Sequence, residues 1–527
     1  MTIGQARAHL VGGGIASLAA AVLLVRDARW DPKTIHIYEG LDVLGGSLDG
    51  SGNAVDGFVI RGGRMFEKHF GCTFDLLQAI PALDNDEISV TDEILRFTRD
   101  IRTSSNCRLV VEGQRMEAPS FGLSLKDRWH LLKLSQRSEQ SLEGVAIEHC
   151  FDPEFFESNF WVMWCTMFAF QRWHSAAEMR RYMRRFMHLL PGFNRLEGIH
   201  RTRLNQYDSI VEPIRRWLQA AGVQIHLQTP VADIVFDKHG SAATSIEFAQ
   251  GTGRQAVSID REDQVFITLG SMTEDSTLGS MSAAPSSGPS DQAGAWTLWR
   301  RLALRSSNFG RPDAFAGETA KTQWLSFTVT LTDSAFFEFM EAFTHNPAGT
   351  GGLVTFRNSG WLLSLVLAHQ PHFANQPEGV YMFWGYGLHP EQVGDHITKP
   401  MLACTGAEIL AELAHHLRLG ASAADLFRTA NCIPCLLPNI TTQFMPRQQG
   451  DRPAVIPAGV ENFAFLGQYV ELPDDTVFTV EYSVRSAQVA VYGLCGLERR
   501  PTPIYRGFED PAVVLRAARC IAMNGTA

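Results

Sequence analysis

The chain reads as an α/β architecture: a parallel sheet assembled from distant parts of the sequence, a second sheet of mixed direction, and a helical lobe. Three observations carry that reading. Residues 8–39 contain a short apolar strand, a glycine turn, an Ala/Leu/Val-rich helix and a second strand in immediate succession. Two more apolar strands that end in glycine, at 265–270 and 463–467, can complete the same sheet late in the chain. Residues 324–330 alternate with strand period and 361–367 are almost continuously apolar, which places further strands in a different sheet.

The first strand covers 8–11, the helix 18–29, and the second strand 34–39, ending in Glu39. In the turn between them Gly12 permits the sharp bend, Gly14 lets backbone approach a pyrophosphate, and Ser17 is small enough for helix and strand to pack closely. Ile15 and Ala16 complete the turn before the helix, whose N-terminus points free N–H groups and the positive end of its dipole at the phosphates. Glu39 follows Ser17 by 22 residues, where an acid can accept from a ribose hydroxyl. This is a Rossmann-like start. Gly45, Gly46 and Ser47 follow after a short loop. A second glycine pair there is either an ordinary surface turn or the extension it resembles in amine oxidases and carotenoid desaturases; the resemblance favours FAD over NAD.

Residues 57–67 run from a short strand into the glycine-rich turn Arg61, Gly62, Gly63, Arg64, which can bring backbone close to a flavin ring. From here the chain resembles the oleate hydratase family, also called the myosin-cross-reactive antigen family. The matches run in order along nearly the whole chain, from the opening glycine turn and Arg61–Arg64 through Ser105, Asn106 and Cys107, Glu157–Trp161, Trp173–Ala176 and Asn205–Tyr207. They continue with Gly270–Glu274, Gln370–Phe373, Trp384–Gly387 and the tail from Glu471 to Tyr492. The resemblance implies an FAD-containing hydro-lyase that adds water to a cis double bond of a free fatty acid without net redox change. It also implies that the backbone at Val231 meets the adenine.

Farther along, Met179, Tyr182, Met183, Phe186, Met187 and Leu190 form an apolar helical stripe, with Arg180, Arg181, Arg184 and Arg185 opposite. The arginines make a solvated basic face; alternatively, the stripe lines a lipid channel and they sit near a membrane surface or the fatty carboxylate. A helix ending at Ala221 leads to a strand at 223–227, and the strand at 265–271 returns to the cofactor with Gly270 and Ser271. Residues 272–295, rich in Ser, Gly, Ala and Pro, read as a long loop. Helix is expected at 405–419, and the strand at 463–467 with the helix after Thr479 closes over the flavin through Gly467 and Thr479. The resulting division is a first FAD-binding segment at 1–150, a helical substrate-channel lobe at 151–200, a second FAD-binding segment at 201–295, a substrate domain at 296–400, and C-terminal helices with the closing FAD segment at 401–527.

At 527 residues the chain exceeds one simple core. Its net charge of -10 gives no basic footprint, so no nucleic acid is expected. The longest aromatic-apolar run, 160–170, falls short of the roughly 20 residues of a spanning helix, and the N-terminus shows no leader pattern, so the expected compartment is the cytoplasm. Nine scattered cysteines make no disulfide framework, and the spacing of Cys432 and Cys435, without a second pair, argues against a metal.

Hydrating an isolated alkene needs a strong acid for one carbon and an oriented water at the other. The family pattern places a Glu where this chain has Met65, and a thioether cannot take a proton from water. Glu67, the second acid of the pattern, either reaches the vacated position or is a structural acid paired to Arg64. The resemblance assigns Tyr182 as proton donor and puts Gln206 near the substrate. Of the family's carboxylate clamp only His372 survives, Val366 and Ala368 having replaced its donors, so carboxylate binding falls to His369, His372 or an arginine. The expected partners are an unsaturated fatty acid and water, with peripheral membrane contact permitted by local basic faces. Relative to typical members the chain is shorter at both ends, which suggests a monomer or weak homodimer. Two other readings remain: a flavin oxidoreductase of the desaturase or amine oxidase type, and a non-catalytic fatty-acid-binding flavoprotein.

Overall fold

Five short strands lie side by side in the order Gln224–His226, Ile35–Tyr38, Ala8–Val11, Gln264–Thr268, Phe463–Leu466, every pair parallel. The computed structural model describes residues 6–250, 253–286, 288 and 294–525. Strands buried on both faces need apolar side chains throughout, and Ala8–Val11 and Phe463–Leu466 are buried along their whole length. The helix Ile15–Arg26 covers the sheet, with Ile15 through Leu24 all buried. Its run of alanines lets it lie close to the helix Val480–Leu494. Five strands drawn from residues 8 to 466 thus form one sheet, a Rossmann-like arrangement whose carboxyl ends share one edge.

The second sheet has eight strands, in the order Thr277–Leu278, Asn431–Leu437, Trp324–Leu331, Tyr381–Gly387, Leu363–Leu367, Leu353–Phe356, Cys107–Val111, Gln114–Glu117. All pairs are antiparallel except Leu353–Phe356 with Cys107–Val111, so the sheet is mixed. Its membership departs from the expected segments. Cys107–Val111 and Gln114–Glu117 come from the first segment, Asn431–Leu437 from the last, and Thr277–Leu278 from the stretch expected as loop. Part of that stretch, 287 and 289–293, lies outside the described residues. The alternation in Trp324–Leu331 has a clear use. Thr328 and Thr330 on one face accept from the Ile60 and Phe58 backbone N–H groups at 3.1 and 2.9 Å, which ties the strand Gly57–Ile60 to this sheet. Phe327, Val329 and Leu331 belong to a separate apolar core with Phe336, Ile409 and Leu413.

In the helical lobe, Asn159–Phe168 buries Phe160, Trp161, Met163 and Trp164, so the longest aromatic run is core. No helix among the described residues is long and apolar enough to cross a membrane. The helix Ala176–Arg185 corrects the expectation of a solvated basic face. Arg181 pairs with Glu139 and Glu471 at 2.7 Å each, Arg185 lies 3.5 Å from Glu67, and Arg180, Arg181 and Arg185 are all buried. Only Arg184 keeps appreciable exposure, under the Phe508 ring. Glu178 on the same helix is buried between Arg452 at 2.8 Å and Arg447 at 3.2 Å. Beyond Phe186 the chain tightens into a 3-10 segment, Met187–Arg195, that contains Pro191, so Met187 and Leu190 leave the α-helical stripe. Cys432 and Cys435 are buried in a central strand of the second sheet with their thiols pushed up by burial, an inert setting.

Candidate functional site

The carboxyl ends of the parallel strands bring the Gly12–Ser17 turn, Glu39, Gly270 and Gly467 to one edge of the sheet. Gly12 leaves the first strand and donates to the Tyr38 carbonyl at 2.8 Å, while Gly13 donates to the Glu39 carboxylate at 2.6 Å. Glu39 also accepts from the Leu41 N–H at 2.9 Å, and burial pushes its carboxyl up. The helix begins at Ile15 with Gly14 as its N-cap, no side chain capping it and no acid in its first turn. Its first N–H groups, from Ile15, Ala16 and Ser17 onward, therefore need acceptors from elsewhere. A Cβ at Gly14 would meet no protein atom within 4 Å, an open cradle in an otherwise close-packed turn. Ser17 Oγ lies 2.9 Å from Thr268 Oγ1, joining the helix start to the strand that ends at Gly270 and Ser271.

The second glycine pair docks on the first. Gly45 donates to the Gly13 carbonyl at 2.9 Å, and a Cβ on Gly46 would stand 3.4 Å from the Gly14 Cα. Arg64 then reaches from the Arg61, Gly62, Gly63 turn to the Ser47 carbonyl at 3.2 Å, and Arg61 pairs with Asp49. Gly467 donates to Ser486 Oγ at 3.0 Å, and Thr479 caps the helix Val480–Leu494 by accepting from the Tyr482 N–H at 3.2 Å. Val231 opens the strand Val231–Phe236, two residues after Thr229 donates to the Glu39 carbonyl at 2.7 Å. An uncapped helix start, an open cradle and two interlocked glycine turns fit a bound dinucleotide.

Next to the Gly63–Met65 turn lies a cavity whose walls are mostly apolar, with Ile60, Met167, Trp324, Leu353, Val366 and Trp384 among them. Its polar groups are few: Arg64, Arg201, Gln206, His369, His372 and Tyr386 are the ones that can orient a ligand. No carboxylate lines it among the described residues. Arg64, over the Phe478 ring at 5.3 Å, is pulled down by burial to about 10. Burial, with the neighbouring His369 and Arg201, pulls His372 down to about 3, so it is neutral at pH 7. Burial lowers His369 as well. Tyr386 donates to the Thr166 carbonyl. The Asn205 side chain and backbone both donate to the His372 carbonyl, at 3.0 and 2.8 Å, which is how the 201–206 stretch and the 369–372 stretch come to face one cavity.

Neither Glu67 nor Tyr182 is among the residues that line the cavity. Nor does Glu67 pair with Arg64. Its strand, Phe66–Glu67, pairs with Ile199–His200, and its buried carboxylate accepts from His69 Nδ1 at 2.6 Å and His188 Nε2 at 2.8 Å, with Arg185 at 3.5 Å. Met65 lines the cavity, while His69, His188 and Arg185 hold the Glu67 carboxylate away from it. Tyr182 is buried among Phe168, Phe170, Phe186 and Phe444 and donates to the Val477 carbonyl at 2.6 Å, one residue before the cavity-lining Phe478. Gln206, His369 and His372 line the same cavity. Sequence reasoning missed Arg201 and Tyr386. The proximity of Arg201 to the Asn205, Gln206, Tyr207 motif was the available signal.

The MCRA family model matches residues 5–492. The chain belongs to the MCRA family. Over 98% of its length it is 40% identical to an oleate hydratase of Streptococcus pyogenes serotype M49 (strain NZ131), covering 89% of that protein. It is 31% identical to a linoleate hydratase of Lactiplantibacillus plantarum, over 98% of each chain. Among solved structures, this MCRA chain superposes on cyclohexylamine oxidase from Brevibacterium oxydans IH-35A with a TM-score of 0.56 at 12% identity, over 94% of this chain and 100% of that one. A putrescine oxidase matches with a TM-score of 0.52 at 13% identity, over 93% and 99%. At such identities the likeness is one of fold, so it lends no weight to oxidase chemistry.

Proposed function

We propose that the protein is an FAD-dependent hydratase that adds water to a cis double bond of a free unsaturated fatty acid, of the oleate to 10-hydroxystearate type. The observation that carries the reading is 40% identity to an oleate hydratase along 98% of the chain. The site supports it, because a largely apolar cavity with a few convergent polar groups opens beside the cofactor turn. FAD would be held by Gly12, Gly14, Ser17, Glu39, Gly45, Gly46 and the Arg61–Arg64 turn, and when bound it supplies a planar polar surface rather than net electron transfer.

The chain's own residues divide the remaining work. The apolar walls exclude bulk water, so that the one water admitted is the nucleophile. Tyr182 is the proton donor in this proposal: burial, Glu178 and Asp475 keep its phenol protonated. Its hydroxyl must first leave the Val477 carbonyl, which makes the 477–479 segment part of the catalytic step. With no carboxylate lining the cavity among the described residues, the water is oriented by neutral groups, Gln206 foremost; as its oxygen bonds to the carbon it gives up one proton, which returns to the Tyr182 phenolate, and Glu67 serves as a positioning residue that holds the turn carrying Met65.

The test is to incubate the FAD-loaded protein with oleate in oxygen-18 water under oxidising and reducing conditions. Label in a 10-hydroxy product with no flavin turnover is the expected result. Substrate-dependent flavin reduction or oxygen uptake would instead identify an oxidoreductase, and binding of several fatty acids without conversion a carrier.

A further inference from the structure

The cavity contains a cation to which the protein supplies no counter-ion. Arg201 donates from Nη2 to the Gly351 carbonyl at 3.0 Å, its Nε is closed to solvent without a partner, and no carboxylate pairs with it among the described residues. Burial pulls the guanidinium down to about 10, yet it stays charged at neutral pH. A charge taken out of water without a partner is costly, and such a cost is tolerated where a ligand supplies the missing anion.

The surroundings are built to receive one. Gly351 has a φ of +69°, and a Cβ there would run into the Arg201 guanidinium, so loop and side chain are fitted to each other. Gly349, at a φ of +82°, closes in the same way on His369, where a Cβ would fall 3.0 Å from the His369 Cβ. The Nδ1 atoms of His369 and His372 are both buried without partners. Behind the wall Arg108, fully buried, donates to the Phe193 and Met163 carbonyls at 2.8 and 3.4 Å and adds a second positive charge with no carboxylate paired to it among the described residues. Val366 and Ala368 supply no donors, but they give an alkyl chain a surface to leave along.

We propose that Arg201 anchors the free carboxylate of the substrate, assisted by the His369 and His372 N–H groups, and thereby selects fatty acids over their esters and thioesters. The inference rests on the fatty-acid reading above. The planar guanidinium fork matches the two oxygens of a carboxylate, whereas an ester offers neither the charge nor the second anionic oxygen. Arg201 is a specificity-determining residue in this scheme and takes no part in proton transfer.

Equilibrium binding of oleate and of methyl oleate to the flavin-loaded protein, its Arg201→Gln variant and its Arg201→Lys variant tests this, with melting temperature as the folding control. Arg201→Gln is expected to weaken oleate by about 10–100-fold while moving methyl oleate less than about twofold. Arg201→Lys, which keeps the charge and loses the fork, should fall between and serves as the readout if the Gln variant does not fold. Unchanged oleate affinity, or equal loss for both ligands, overturns the anchor. The two readings fail separately. Arg201-dependent oleate binding with no hydration of any acid supports the anchor and sinks the hydratase, whereas hydration that is indifferent to Arg201 does the reverse.

Discussion

Gly14 is the residue where the empty space matters most. Its backbone is extended, so alanine is sterically allowed, and the added methyl would touch no protein atom. Gly14→Ala should therefore melt at the wild-type temperature without flavin but purify with much less of it, measured as bound flavin per mole of protein. Glu67 calls for the opposite test. Burial would raise its carboxyl, but His188, Arg185 and His69 outweigh that and hold it below the usual carboxylate range. Its contribution to stability is thus complete above the ordinary glutamate pKa of about 4.3 and is lost as pH falls through its lower folded value. Glu67→Gln leaves two imidazoles and Arg185 short of an anion and should cost about 1–3 kcal/mol in a denaturant melt, with kcat falling less than about tenfold. Abolished turnover at unchanged stability would restore Glu67 as a direct acid or base.

The helix Ala176–Arg185 shows how charge can sit inside an element. Its four arginines look like a solvated face because helical spacing reports only which residues share a side. Whether that side meets water depends on Glu139, Glu471 and Glu67, which come from other parts of the chain. Glu178 on the same helix has burial pushing it up, while Arg452, Arg181 and Arg447 bring it to about 2. Replacing it, Glu178→Gln, leaves Arg452, itself fully buried, without its closest anion and should destabilise by about 3–5 kcal/mol, read as a drop in denaturant midpoint. Because the helix carries Tyr182, activity should fall along with stability.

Across the whole molecule, acid sensitivity concentrates in such buried carboxylates. Glu412 resembles Glu178: burial is outweighed by His416 and by the backbone N–H groups of Ile397, Asp395 and His396, leaving it at about 2. Both groups fold with a lowered pKa, so their stabilisation is present above about pH 4.3 and fades as pH falls toward 2. Melting temperature should drop steeply over that interval, and the Glu178→Gln, Glu412→Gln double variant should show a flatter profile from a lower plateau. The sequence by itself determined the cofactor turn, the second glycine pair, the late closing strand and the mixed second sheet. Those features are written in short-range spacing: a glycine where backbone must approach a phosphate, alternation where a strand has two faces, an apolar run where both are covered. It placed Gln206, His369 and His372 near one another only through a family resemblance, and the hydrogen bonds from Asn205 to His372 supply the physical reason. Tertiary structure alone decided that Glu67 turns toward His188 and Arg185, 121 and 118 residues away, that three arginines are buried, and that Arg201 lines a cavity with no carboxylate paired to it among the described residues. A charged side chain's partner is set by which distant segments pack beside it, and no local pattern records that.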